Sequence, residues 1–435
     1  MRISFFFYAL LTFIFLYLVV AKMKDSCSFF GISLQFWKRS SIRCSESALP
    51  KIVLTGFSVG NNVDGGYSFP VTIGNQTFQM LLDTGSPDLW VPSVNCTSKS
   101  CKKHKQFDEK ISQNFINTEK KYSLLFNQKA SFVNVTGAFE NVEIGGIIAE
   151  KQQFGCAFLE TDDFYNAPFD GILGLSLDKL STQHIPTVFS TMVKQNKVEE
   201  PIFSIYLSRA RDSGDKGALT LGGVDKEKFS GDIVNNKVIG ESGFWVINLE
   251  GLSVDGKKIE LDEVGNETKL EGKNELKKQR KSIIDTGTSL LKILYEDAEK
   301  IHANIGGFLV DFQGGGFAIP CNTTSVVSLQ FNNIHYSIDP KDLIISNISS
   351  VYPGFCFSGI QGIRNQVSSV DGMGIWLIGD VFLKNVYSVF NTKEKTVGFA
   401  PSIHNHCKEV NKILFFNIEL INVYFFCFLI RIVFF

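Results

Sequence analysis

Two stretches of the chain nearly repeat one another. Residues 80–90 read MLLDTGSPDLW and residues 282–292 read SIIDTGTSLLK, each an apolar run ending in Asp-Thr-Gly and a hydroxyl residue, with Asp83 and Asp285 separated by 285 − 83 = 202 positions. A second element recurs behind each turn: FDGILGLS at 169–176 and WLIGDVFL at 376–383, so that Ile172 follows Asp83 by 89 residues and Ile378 follows Asp285 by 93. Self-similarity at this range implies a duplicated half-chain, and so two related lobes that each contribute one apolar strand and one Asp-Thr-Gly turn. Any site built on the turns then takes one half from each lobe.

The rest of the body carries the pattern of strands. Runs such as GYSFPVTIG, FSIYLS, GALTLGG, FWVINLEGLSVDG and VYSVFNTKEKTVGFA are separated by clusters of Gly, Asn, Asp and Ser, as expected of short half-buried strands and tight turns. TVFSTMVKQN and LYEDAEKIHANI are the better helical candidates. Residues 260–281, ELDEVGNETKLEGKNELKKQRK, alternate acid and base with hardly an apolar anchor and read as a solvated insertion. Trp245 reads as core.

The two ends differ from the body. Residues 1–21 contain an uncharged apolar run followed by Lys22 and Lys24, read as a signal peptide or signal anchor. The tail 404–435 is also apolar but is interrupted by Glu419 and Arg431, and each charge near a bilayer centre costs roughly 2.5–3.5 kcal/mol. These ends are the candidates for membrane association. HNHC at 404–407 offers metal-ligand types but follows the last core strand, and it is read as tail rather than as a metal site. A net charge of −1 leaves no electrostatic footprint for nucleic acid.

Cysteine usage fits an oxidising compartment. Among nine cysteines, Cys96 and Cys101 sit five apart, and Cys321 and Cys356 bracket a region of alternating apolar residues, so each pair is a candidate short-range disulfide. Cys156, in FGCAF, reads as a buried free thiol. Sequons at Asn75, Asn95, Asn134, Asn266, Asn322 and Asn347 suit a lumenal chain.

The chemistry resides in the repeated turns. A carboxylate at the end of a buried strand is costly unless hydrogen-bonded. Gly85 and Gly287 allow backbone amides to approach Asp83 and Asp285, and the hydroxyls of Ser86 and Thr288 can each donate to the nearer Asp. Two such turns facing each other place two carboxylates within reach of one water. Like charges that close share a single proton, which leaves one group as general base on the water and the other, protonated, to polarise a carbonyl. This requires no metal and no cofactor.

From about Tyr67 to Pro401 these motifs resemble the pepsin-like aspartic proteases, for which a shared proton between two Asp carboxylates is the standard arrangement. The composition and early apolar segment are similar to the plasmepsin branch, and the short stretch before the body to its non-digestive members. The resemblance implies a mostly β, bilobal fold with two related β lobes, 51–204 and 205–403, and an active-site cleft between them. It implies Asp83 and Asp285 as the catalytic dyad, supported by Thr84, Gly85, Ser86, Thr286, Gly287 and Thr288, the two threonines interlocking the lobes. Cys96–Cys101 and Cys321–Cys356 fall where the family has disulfides. Residues 22–50 become a short propeptide, with Lys38, Arg39, Arg43 or Lys51 pairing with the dyad before activation. The implied protein is a zymogen of the secretory pathway, secreted or held in an acidic vesicle or vacuole. Its partners are protein or peptide substrates and statine-type inhibitors such as pepstatin, and a monomer suffices because one chain holds both halves of the site.

The chain departs from the family in four places. Phe126 stands where the family has a flap Tyr whose hydroxyl bonds the indole of Trp90, and Asn127-Gln128-Lys129 replace the usual Gly-Thr-Gly tip. Pro87-Asp88 replace a Ser/Thr-Asn pair, which adds a carboxylate able to raise the dyad's upper pKa if buried. Lys292 follows TSLL, and the charged insertion stands in place of a third disulfide loop. The altered flap makes a catalytically inactive pepsin-like peptide-binding protein the rival reading.

Overall fold

The computed structural model describes residues 49–59, 62–126, 130–212, 216–262, 279–364 and 375–403. The apolar ends, nearly all of the expected propeptide, residues 127–129 and the middle of the charged insertion lie outside the described residues, as do Asn266 and HNHC. The architecture is mostly β, and its centre is a repeated four-strand pattern. In the first half Gln76–Asp83 runs parallel to Gly171–Gly174, which is antiparallel to Leu89–Pro92, itself parallel to Ile147–Glu160. In the second half Arg280–Ile284, Ile375–Ile378, Leu291–Leu294 and Phe355–Ile363 repeat that order and those directions. The registers align Leu82 with Leu173 and Ile284 with Ile378. The true counterpart of Ile378 is therefore Leu173, one residue beyond the Ile172 that sequence spacing suggests.

Strand alternation sorts the apolar residues between two faces. Phe78, Met80 and Leu82 enter the main core, whereas Leu81 joins a separate cluster with Trp90, Leu124, Val133, Phe164 and Ile172. The hairpin Ile116–Phe126 and Ser131–Ile144 supplies the outer wall of that cluster, with Phe126 paired to Ser131 at its tip end. The halves are also stitched by one sheet. Lys51–Val59 pairs with Gly217–Leu221, which pairs with Ile202–Tyr206, which pairs with Val386–Asn391 near the far end of the chain. The expected lobe division at 204/205 falls inside this stitching strand. Trp245 is buried core and also bridges the halves, its indole donating to Leu175 O at 2.9 Å.

Both helical candidates form. Val188–Lys194 is capped by Thr187, whose hydroxyl accepts from Ser190 N, and Tyr295–Ile305 ends at Gly306 with φ of 74°, a left-handed cap that suits glycine. Cys96–Cys101 and Cys321–Cys356 are disulfide-bonded, and Cys156 is free and buried. Asn75, Asn95, Asn322 and Asn347 are exposed, and Asn134 is half-buried on the hairpin.

Two expectations are corrected. Arg280, read as part of the solvated insertion, is buried and makes a two-pronged pair with Asp297, at 2.7 and 2.9 Å, while Trp376 donates to the same carboxylate at 3.1 Å. The charged run thus continues into a core strand, and the final arginine is consumed by the helix packed on it. Lys51, one candidate to pair with the dyad, lies 3.0 Å from Asp225 at the start of the stitching sheet.

Candidate active site

Asp83 ends its strand and Asp285 directly follows the equivalent one, and the two face each other across the halves. Each carboxylate is held from within its own turn. Gly85 N donates to Asp83 Oδ1 at 2.7 Å and Ser86 Oγ to Oδ2 at 2.5 Å; Gly287 N donates to Asp285 Oδ1 at 2.9 Å and Thr288 Oγ1 to Oδ2 at 2.6 Å. The two glycines are required by the opposite carboxylate. A Cβ on Gly85 would lie 2.3 Å from Asp285 Oδ1, and one on Gly287 2.5 Å from Asp83 Oδ1.

Beneath the carboxylates Thr84 and Thr286 exchange bonds reciprocally. Thr84 N donates to Thr286 Oγ1 at 3.1 Å and Thr286 N to Thr84 Oγ1 at 3.0 Å, while each hydroxyl donates at 2.9 Å to the strand of the other half, at Ile284 O and Leu82 O. The amide and hydroxyl of each threonine are thereby partnered across the repeat. The recurrent glycine behind each turn has a matching cause. A Cβ on Gly174 would meet the backbone of Pro87 at 2.3 Å, and one on Gly379 would meet Thr288 O at 1.9 Å. Both glycines let the Asp-Thr-Gly loop cross directly over the neighbouring strand.

Burial first, and then the Asp285 charge, push the Asp83 carboxyl up to about 7, against the opposing pull of Ser86 and the Gly85 amide. The titration belongs to the pair. Asp88, the extra carboxylate, is buried but turned away. It accepts from Ser181 Oγ at 2.8 Å, Thr182 N at 3.2 Å and Gln183 Nε2 at 3.4 Å, and it is not among the groups that raise Asp83.

The hairpin places Phe126 6.4 Å from Trp90, ring centre to ring centre, with Phe164 edge-on to both at 5.8 and 5.4 Å. Among the described residues the buried Trp90 indole nitrogen has no hydrogen-bond partner. The missing hydroxyl of Phe126 is thus not replaced by another group among the described residues, and ring packing is the contact between Phe126 and Trp90.

Asp380 was not singled out by sequence reasoning. It directly follows Gly379 and is completely buried, its amide donating to Thr288 O at 2.9 Å and both carboxyl oxygens without a hydrogen-bond partner among the described residues. Burial holds its pKa well above the usual carboxylate range; Lys384 opposes this, and Asp285 and Asp64 add to it. The available signal was an acid inside an apolar run, at the position where the first half has Leu175. No group of His, Cys, Asp and Glu among the described residues is arranged to hold a metal ion.

A family profile described as eukaryotic aspartyl protease matches residues 66–402. The chain is 34% identical over 349 residues to cathepsin E of Rattus norvegicus and 32% identical over 351 residues to cathepsin E of Aquarana catesbeiana, in each case across 79% of this chain and 81% of the relative. It is 34% identical over 351 residues to the probable aspartic-type endopeptidase CTSD of Arthroderma benhamiae, across 79% of this chain and 63% of that protein.

Proposed function

The chain belongs to the eukaryotic aspartyl protease family and is an aspartic-type peptide hydrolase, and from that premise we propose that Asp83 and Asp285 are its catalytic dyad in an endopeptidase reaction. A water held between them loses a proton to the ionised carboxylate as it attacks the scissile carbonyl, while the protonated carboxyl gives its proton to that carbonyl's oxygen, leaving a neutral tetrahedral diol and one proton on the dyad. As the C–N bond breaks, that proton passes to the leaving nitrogen and one diol hydroxyl returns its proton to the dyad, which again holds one shared proton. The observation that carries this reading is that the two carboxylates, each held by its own turn, face one another so closely that a Cβ on either turn glycine would collide with the opposite carboxylate, over the reciprocal threonine bonds. The amides of Gly85 and Gly287 and the hydroxyls of Ser86 and Thr288 hold the carboxylates in place before substrate arrives.

The chain is made as a secretory zymogen, residues 1–21 directing export and 22–50 removed on activation. The two disulfides support an oxidising compartment. Phe126 and Trp90 form the wall over the substrate, and peptides are the partners, with statine-type inhibitors such as pepstatin as mimics of the tetrahedral diol. Hydrolysis of a mixed peptide library from pH 3 to 8 tests the reading. Turnover that vanishes in Asp83→Asn and with pepstatin is expected; turnover that survives both would remove the dyad from the mechanism.

A further inference from the structure

The repeat itself exposes a position whose chemistry has changed between the halves. Trp90 lies seven residues after Asp83 and Lys292 seven after Asp285. Their registers also match, since Trp90 pairs with Ile172 and Gly155 while Lys292 pairs with Leu377 and Gln361. In the first half this face carries the aromatic wall, with Trp90 buried under Phe126 and Phe164. In the second half the same face is half-exposed at Lys292, Leu294, Gln361 and Ile363, while the alternating residues Leu291, Ile293 and Ile360 enter the core.

The face begins at Thr288, which holds the Asp285 carboxylate. Lys292 pairs with no carboxylate among the described residues. A half-buried lysine with no counterion among the described residues, related to Trp90 by the repeat, is a costly use of a core-edge position.

We propose that Lys292 forms a cationic subsite on the second-half side of the cleft that selects peptide substrates carrying an Asp or Glu side chain. This deepens the endopeptidase reading and rests on it. The substrate carboxylate supplies the counterion for Lys292.

The test is a set of peptides sharing one cut site, with Glu or its neutral isostere Gln placed in turn at each flanking position. Assays run at about pH 5.5, where a free Glu is ionised and the dyad, with Asp83 raised to about 7, retains its shared proton. At one position the wild type is expected to favour Glu over Gln by about tenfold in kcat/KM, the size of one charge-assisted bond. That ratio should fall to about one in Lys292→Gln and below one in Lys292→Glu, and raising the salt concentration should shrink the wild-type preference. Equal ratios in wild type and Lys292→Gln would overturn the subsite. If no peptide in the set is cut, the endopeptidase reading fails instead. Glu- and Gln-peptide binding to Asp83→Asn, with and without Lys292→Gln, then decides the subsite by affinity alone.

Discussion

Ser86 and burial pull Asp83 in opposite directions, and the hydroxyl is the weaker of the two. Ser86→Ala removes a donor to the ionised form, so the alkaline limb of the pH profile of kcat/KM moves upward. Activity at the optimum falls by about tenfold, from the loss of a charge-assisted hydrogen bond of roughly 1.5 kcal/mol. At the hairpin the expectation has the other sign. Phe126→Tyr brings a hydroxyl toward the unpartnered Trp90 nitrogen, and a hydrogen bond of about 1 kcal/mol that favours closure lowers KM several-fold in steady-state assays. Ser86 was legible in the sequence from its place in the Asp-Thr-Gly-Ser turn, whereas Phe126 was singled out only through the family resemblance. Asp380 and Arg280 were not legible. Asp380 matters through the partners its carboxyl lacks, and Arg280 through a carboxylate 17 residues away on a helix. Local charge pattern carries neither relation.

The strands around each turn are governed by clearance. Gly379→Ala forces a methyl group onto Thr288 O, and the second-half turn must move or the strand must separate from it. A loss of at least about 3 kcal/mol in urea unfolding is expected, with activity lost alongside stability. Arg280→Ala leaves Asp297 buried with its charge unanswered by a cation, and costs about 3–5 kcal/mol by the same measurement. Element type was well marked in the sequence by alternation, by Thr187 before one helix and by Gly306 after the other. Register was displaced by one residue. Two apolar residues before a glycine specify a buried strand without specifying which of them lies opposite the aspartate strand; hydrogen bonding to that strand decides it.

Across the whole molecule, the raised Asp83 pKa makes stability depend on pH. The unfolded carboxyl titrates near 3.8 and the folded one near 7, so the folded state holds the proton more tightly between those values. Its stabilising contribution is complete below about pH 4 and is lost as pH rises through 7, by at most about 4 kcal/mol. His302, which burial lowers to about 4, acts oppositely between that value and about 6.5. Denaturant unfolding of wild type beside Asp83→Asn separates the two effects: the difference in unfolding free energy between them should narrow or reverse from pH 4 to pH 7.5. A constant difference would contradict the shift. The bilobal plan itself was legible because the duplication is written twice. The stitching sheet was not, since it joins strands from opposite ends of the chain.

The reciprocal threonine bonds have the form of a two-fold contact, residue i meeting j as j meets i, enclosed within one polypeptide. In a two-chain assembly such a contact would dissolve as protein is diluted. Here the partner half is supplied at a fixed effective concentration set by the linking backbone. Specific activity should therefore hold constant down to the lowest enzyme concentration at which turnover is detectable.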